Sequence, residues 1–233
     1  MRISPRIRFS KKVIAIIATL SLFGGGSYLL GWSSLFTVSQ IEITGAPSQP
    51  AQDEIVKKLD LRVGEKLARV DSRALSLRLK SADWIKSADI SRNWFNGKVR
   101  VDLSLRIPVA IYSELGKPQV VLDASGELFK ARGALPVGLP NISATSVSSG
   151  SAAIKVFTEM PKEFSDGITS INATSEINIL VTGRFSEKSL QIVWGDGEDT
   201  LLKIKVVNAL LEQPENKSIH MIDVTAPHAP IVK

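Results

Sequence analysis

Cysteine is absent from the 233 residues. That removes disulfides, thiolate nucleophiles and cysteine-based zinc sites, while saying nothing decisive about redox compartment. Histidine is nearly absent, with only His220 and His228, both close to the C-terminal end. A Ser-His-Asp site would need one of them oriented by Asp223 and a serine from elsewhere, and there is no G-x-S-x-G elbow. There is no H-E-x-x-H and no cluster at metal-ligand spacing either. Aromatic residues make up 6% of the chain and no basic stripe follows residue 12, which argues against a nucleic-acid surface. Acidic residues are missing from the beginning: none precedes Glu42.

What is present explains the net charge of +6. Arg2, Arg6, Arg8, Lys11 and Lys12 stand before Glu42, so the remaining 24 of the 29 basic residues meet all 23 acidic ones and the rest of the chain is nearly neutral. Residues Val13–Phe36 carry no charge. At about 1.5 Å per residue they are long enough to cross a hydrocarbon layer of about 30 Å. The basic flank holds residues 1–12 in the cytoplasm and sends the remainder out, with Trp32 near the outer interface. A cleaved signal peptide, with Val13–Phe23 as its apolar core, is the alternative. Apolar character resumes after Gly24–Gly26 and no clear A-x-A-like site follows, which favours an uncleaved anchor.

The exported residues read as α+β. Gln40–Thr44 alternates as a short strand, and Gln49–Leu59 places Ile55, Val56 and Leu59 on one helical face. Asp71 is a good N-cap for a helix carrying Leu75 and Leu79, although Leu75, Leu77 and Leu79 also fit a strand period. Ile85–Asn93 and Lys98–Arg106 flank a turn at Phe95-Asn96-Gly97 and form a hairpin. The order β-α-α-β-β spans residues 37–106. Residues 107–226 follow as a β-rich domain with an antiparallel sheet and flanking helices, and 227–233 as a tail. Strands are expected at Val109–Glu114, Gln119–Asp123, Glu127–Lys130, Ile168–Ala173, Glu176–Thr182 and Ser189–Trp194. Helices are expected at Ser151–Glu159 and Thr200–Leu211, the second with Leu201, Ile204, Val207 and Leu211 inward. Gly133–Gly150 is the least patterned stretch and reads as an excursion.

The densest acidic run, Gly195-Asp196-Gly197-Glu198-Asp199, lacks the EF-hand spacing. It reads better as a turn with Asp199 capping the next helix. A membrane-anchored envelope enzyme acting on wall polymer, drawing on Asp196, Glu198 or Asp223, is the rival to a binding role. Location alone motivates it.

In order along the chain come V-x-x-I-x-I-x-G at Val38–Gly45, the Leu61-Arg-Val-Gly-Glu-Lys-Leu segment, Val70-Asp71, and Asp83-Trp84-Ile85-Lys86-Ser87-Ala88. Arg106-Ile-Pro-Val-Ala110, Leu122-Asp123-Ala-Ser-Gly126 with Phe129, Ala134-Leu135-Pro136, Trp194-Gly195 and Ile222-Asp223-Val224-Thr225 follow. This succession resembles the bacterial cell-division proteins FtsQ/DivIB. The resemblance implies a POTRA-type domain (37–106) and a β domain (107–226). It further implies a non-enzymatic scaffold without cofactor or small-molecule substrate, held at the division septum. The implied partners are the single-span proteins FtsL and FtsB/DivIC. It places partner pairing on a last strand over Ile222–Val232, through Ile222, Asp223, Val224, Thr225, Ala226, His228, Ile231 and Val232. Pro227 and Pro230 depart from a continuous ladder there, since neither has an N–H to donate. Leu105 and Phe95 depart from residues common in the family.

Overall fold

The computed structural model describes residues 11–32 and 36–233. Arg2, Arg6 and Arg8 of the basic tail lie outside the described residues, as do the side chains of Lys11 and Trp32. The chain divides into two compact units, Met1–Leu105 and Arg106–Lys233.

The first unit opens with helix α1 (Lys11–Trp32), continuous through Gly24–Gly26. Ile16, Ile17, Leu20, Phe23 and Tyr28 are exposed along it. Among the described residues no helix is long and apolar enough to cross a membrane. After α1 come β1 (Gln40–Thr44), α2 (Gln49–Leu59), α3 (Ser72–Leu79), β2 (Ile85–Asn93) and β3 (Lys98–Leu105). The strands order as β1-β3-β2, with β1 parallel to β3 and β2 antiparallel to it. Local chemistry places each element. The Ser48 hydroxyl accepts from Ala51 N at the start of α2, and Asp71 Oδ1 accepts from Arg73 N and Ala74 N at the start of α3. The helical reading of Leu75 and Leu79 is the correct one, because both are buried while Leu77 is exposed. On α2 the buried stripe is Ala51, Ile55 and Leu59, and Val56 faces out. Gly45 ends β1 at φ +85°, where a Cβ would lie 2.5 Å from Leu103 O. That close approach accounts for the glycine closing the Val38–Gly45 motif.

The second unit is a nine-stranded sheet. Its strands are β4 (Pro108–Glu114), β5 (Val120–Asp123), β6 (Leu128–Phe129), β7 (Asn141–Ala144), β8 (Ile168–Ser175), β9 (Asn178–Phe185), β10 (Lys188–Gly195), β11 (Met221–Asp223) and β12 (Ile231–Val232). The order is β12-β11-β10-β9-β8-β7-β4-β5-β6. The expectation of an antiparallel sheet is corrected, because β4–β7, β7–β8 and β10–β11 pair in parallel. For β7–β8 and β10–β11 the reason lies in the connections. Helices α4 (Val147–Glu159) and α5 (Lys162–Ser165) join β7 to β8, and α6 (Thr200–Glu212) joins β10 to β11. A helical crossover returns the chain in the same direction, whereas only a tight turn reverses it. The stretch expected as an excursion, Gly133–Gly150, contains β7, which lies inside the sheet, and the capped start of α4.

One face of this sheet is buried, through Ile171, Ile179, Val181, Leu190, Ile192 and Trp194 with Val156 and Val207 of the helices. Gly150 in α4 is required by that packing, since a Cβ there would collide with the hydroxyl of buried Tyr112. The Arg106 and Asp123 motifs also meet. Arg106 Nη1 donates to Asp123 Oδ2 at 2.6 Å, while Asp123 Oδ1 accepts from Ser125 N, Ser125 Oγ and Glu127 N. Burial alone pushes the Asp123 carboxyl upward; the hydrogen bonds from Ser125 and Arg106, with those from the backbone, outweigh it and hold the group at about 2.

Candidate functional site

The C-terminal edge of the large sheet is built around the end of β10. Trp194 is wholly buried there, its ring centroid 6.1 Å from that of Phe164. Gly195 follows at φ +80°, and a Cβ on it would sit 2.9 Å from Thr225 Cγ2. The missing side chain is what admits Thr225 against the strand. Asp223 Oδ1 in turn accepts from Thr225 N at 2.9 Å and Thr225 Oγ1 at 2.7 Å, an Asx turn that ends β11. Val224 N donates to Val193 O at 3.0 Å. The Trp194-Gly195 and Ile222–Thr225 motifs, far apart in sequence, are thus one piece of structure.

Beyond Thr225 the chain reverses. Ala229 N donates to Ala226 O, and β12 returns antiparallel to β11 with Ile222 opposite Val232 and Asp223 opposite Ile231. Met221 and Lys233 exchange both backbone hydrogen bonds, at 3.0 and 2.9 Å. A single last strand over Ile222–Val232 is therefore replaced by two short ones. Pro227 and Pro230 have no N–H for a ladder, and the Asp223 side chain captures the backbone of Thr225, so β11 cannot run on.

This geometry sorts the residues assigned to partner pairing. Ile222 and Val224 are wholly buried, and Asp223 is half-buried and occupied by its own turn. Thr225, Ala226, His228, Ile231 and Val232 are exposed, Ile231 at 56% and Val232 at 37%. Antiparallel alternation turns the N–H and C=O of Val232 away from β11, because the bonded pair is Met221 with Lys233. Pro230 adds only a carbonyl. The sequence reading passed over Met221 and Lys233, which join the edge through backbone atoms and so leave no side-chain signal.

The acidic run beside this edge is internally bound. Lys203, 1% exposed, donates to Asp196 O at 3.1 Å and Asp196 Oδ1 at 2.8 Å, with its Nζ 5.9 Å from the Trp194 ring centroid. The Lys203 hydrogen bond, opposed by burial and helped by Glu198 N, holds the Asp196 carboxyl below its ordinary value. Asp199 occupies the cap position of α6 in left-handed backbone at φ 52°, without the side-chain cap bond expected of it. The inward face of α6 is also corrected: Thr200, Lys203, Ile204 and Val207 are buried, and Leu201 is exposed. Among the described residues no group of three or more His, Cys, Asp or Glu side chains is placed to hold a metal ion. Asp196, Glu198 and Asp223 are thus held in turns, and His228 is exposed at the tip of the β11–β12 connection.

Two family models match this chain. The POTRA domain of FtsQ type covers residues 36–104, and the C-terminal domain of cell division protein FtsQ/DivIB covers residues 112–225. Among curated proteins the chain is similar to the cell division protein FtsQ of Streptomyces venezuelae, with 28% identity over 97% of this chain and 84% of that protein. It is 27% identical to the FtsQ of Mycobacteroides abscessus over 95% of this chain and 69% of that protein. It is 25% identical to the FtsQ of Streptomyces collinus over 94% and 87% respectively.

Proposed function

The chain belongs to the FtsQ/DivIB family of cell-division proteins, and from that membership we propose that it is a membrane-tethered docking platform, recruiting FtsL-like and FtsB/DivIC-like single-span proteins at the division septum. A divisome role follows from the family. The tether is α1 with its uncharged run Val13–Phe36, cytoplasmic on the side of Arg2, Arg6, Arg8, Lys11 and Lys12, with Trp32 toward the outer interface. The apolar side chains exposed along α1 support this reading, because such a surface is stable against lipid.

The carrying observation for the docking site is the edge strand β12. It presents the Val232 backbone and the exposed side chains of Ile231 and Val232 at the end of a nine-stranded sheet. A partner segment adds as a tenth strand, gaining backbone bonds from Val232 and apolar contact from Ile231, with Thr225, Ala226 and His228 flanking it. Ile222, Asp223 and Val224 act from behind, by fixing β11.

Co-purification of the full chain with the FtsB/DivIC-like protein tests this. Ile231→Asp is expected to lower capture at least about tenfold, a loss of about 1.4 kcal/mol, with the circular dichroism of the second unit unchanged. Undiminished capture by a folded Ile231→Asp protein overturns the site. Val224→Asp is no substitute, since a charge at a wholly buried position unfolds the edge. A fluorescent fusion spread evenly around dividing cells overturns the septal reading as a whole.

A further inference from the structure

The polarity of the small sheet determines which of its ends lies nearest α1. β1 runs parallel to β3, with Gln40 beside Lys98 and Thr44 beside Asp102. The strand leaving α1 therefore begins at the β2–β3 turn and runs away from it. The residues ahead of β1 are bonded to that turn. Ser39 N donates to Gly97 O at 2.8 Å, and the Phe36 ring meets Trp94 edge-on with centroids 6.0 Å apart. Gly97 sits at φ +70°, where a Cβ would come within 2.5 Å of Thr37 O. The chain from Trp32 to Phe36 reaches at most about 14 Å. The turn is held close to the end of α1.

This turn carries an exposed apolar tip beside basic side chains. Phe95 is fully exposed (103%) and Trp94 partly so (38%). Arg92, Lys98 and Arg100 line one shallow groove with these two rings. Arg92 lies 5.4 Å from the Trp94 centroid and braces the turn by donating to Leu67 O and Val70 O. Glu42 is the carboxylate paired there, 2.8 Å from Lys98 and 3.7 Å from Arg100. Lys98 and Arg100 share that one carboxylate on the solvent face, which leaves a surplus of one positive charge there, while Arg92 is committed on the other face to the Leu67 and Val70 carbonyls. Aromatic rings beside cations are the composition favoured in the headgroup layer of a membrane with anionic lipid.

We infer that the β2–β3 turn is a second membrane contact, seating Trp94 and Phe95 in the headgroup layer beside α1 and taking anionic phospholipid headgroups on Lys98 and Arg100. The inference rests on the reading of α1 as a membrane span. A contact on each side of the Trp32–Phe36 connection removes the first unit's freedom to tilt on its tether.

The absence of cysteine makes single-site labelling clean. Full chains carrying Leu20→Cys, Phe95→Cys or Ile177→Cys are labelled with an environment-sensitive fluorophore. Each is reconstituted in phosphatidylcholine vesicles with or without phosphatidylglycerol, doped with lipid brominated high on the acyl chain. The label at 95 is expected to be quenched as clearly as the label at 20, with the label at 177 unquenched. Omitting phosphatidylglycerol, or adding Lys98→Gln with Arg100→Gln, is expected to reduce quenching at 95 at least about twofold. Quenching at 20 with a label at 95 as wet as that at 177 overturns this inference and leaves the span intact. No quenching at 20 overturns the span, and the second contact with it. Equal quenching at 95 with and without phosphatidylglycerol overturns the assignment to anionic headgroups.

Discussion

The charged pairs on the small sheet and two of those in the second unit sit in opposite surroundings. In the first, Glu42, Lys98 and Arg100 pair on the solvent face of the small sheet, each side chain at least a quarter exposed. In the second, Lys203 and Asp123 are drawn into the protein, 1% and 5% exposed, where Lys203 meets Asp196 from the turn just before its helix and Asp123 meets Arg106. An exposed pair gains little, because water and salt compete for both ions. A buried pair is costly to break, because one charge is left behind without water. Lys98 and Arg100 are therefore available for recognition, whereas Lys203 and Asp123 each hold a part of the second unit together.

The strongest way to break this contrast is Lys203→Ala. It removes the ammonium that ties Asp196 to α6 and empties space beside the Trp194 ring. The expected loss is about 3 kcal/mol from the second unit, combining the unmade bonds with a cavity. Lys203→Met fills most of the volume and lets half-exposed Asp196 return to water, so it should cost about 1 kcal/mol. Urea unfolding of the full chain, followed by amide exchange in β10 and α6, checks both. Equal, small losses in the two variants would show that neither the Asp196 bonds nor the packing of Lys203 stabilises this edge.

Acid provides the next test. The Asp123 carboxyl is held down to about 2 from an unperturbed 3.8. Its contribution, about 2 kcal/mol, is fully present above pH ~4 and is lost as pH falls through the folded value. The stability gap between the wild-type chain and Asp123→Asn should be widest near neutrality and close toward pH ~2. A gap that does not change across that window would mean that the Arg106 pair contributes only geometry.

The same contrast explains what was legible in the sequence. The first unit's elements rest on local signals: alternation in Val99 and Val101, the Asp71 cap, and the glycine turns at Gly45 and Gly97. Each can be read within a few residues. In the second unit the decisive events are pairings and contacts that no local pattern announces. β7 offers only Ile142 and Ala144 as inward residues, and its place between β4 and β8 is set by backbone pairing and by the helices that follow. Lys203 on an apolar stripe reads as solvent-facing until Asp196 and Trp194 are placed around it. At the C-terminal edge, the sequence reading puts Ile222 and Val224 among the partner-pairing residues, and only the structure shows that both are buried. The reversal that makes β12 depends on Met221–Lys233 backbone bonds, which no side chain announces.

The smallest expected effect sharpens the comparison from the other side. Replacing Lys98 and Arg100 together by Gln removes both partners of Glu42, whose carboxyl is held below its usual value by the hydrogen bond and charge of Lys98 and, less, by Arg100. Because the three groups face water, Glu42 rehydrates when they are gone, and the double variant should unfold at the same urea concentration as wild type, with or without added salt. A clear drop in that midpoint would make the patch structural like the buried pairs, and would assign the loss of lipid quenching at Phe95 to unfolding. An unchanged midpoint with reduced quenching separates the two roles, leaving recognition as the reason for a positive groove beside two exposed rings.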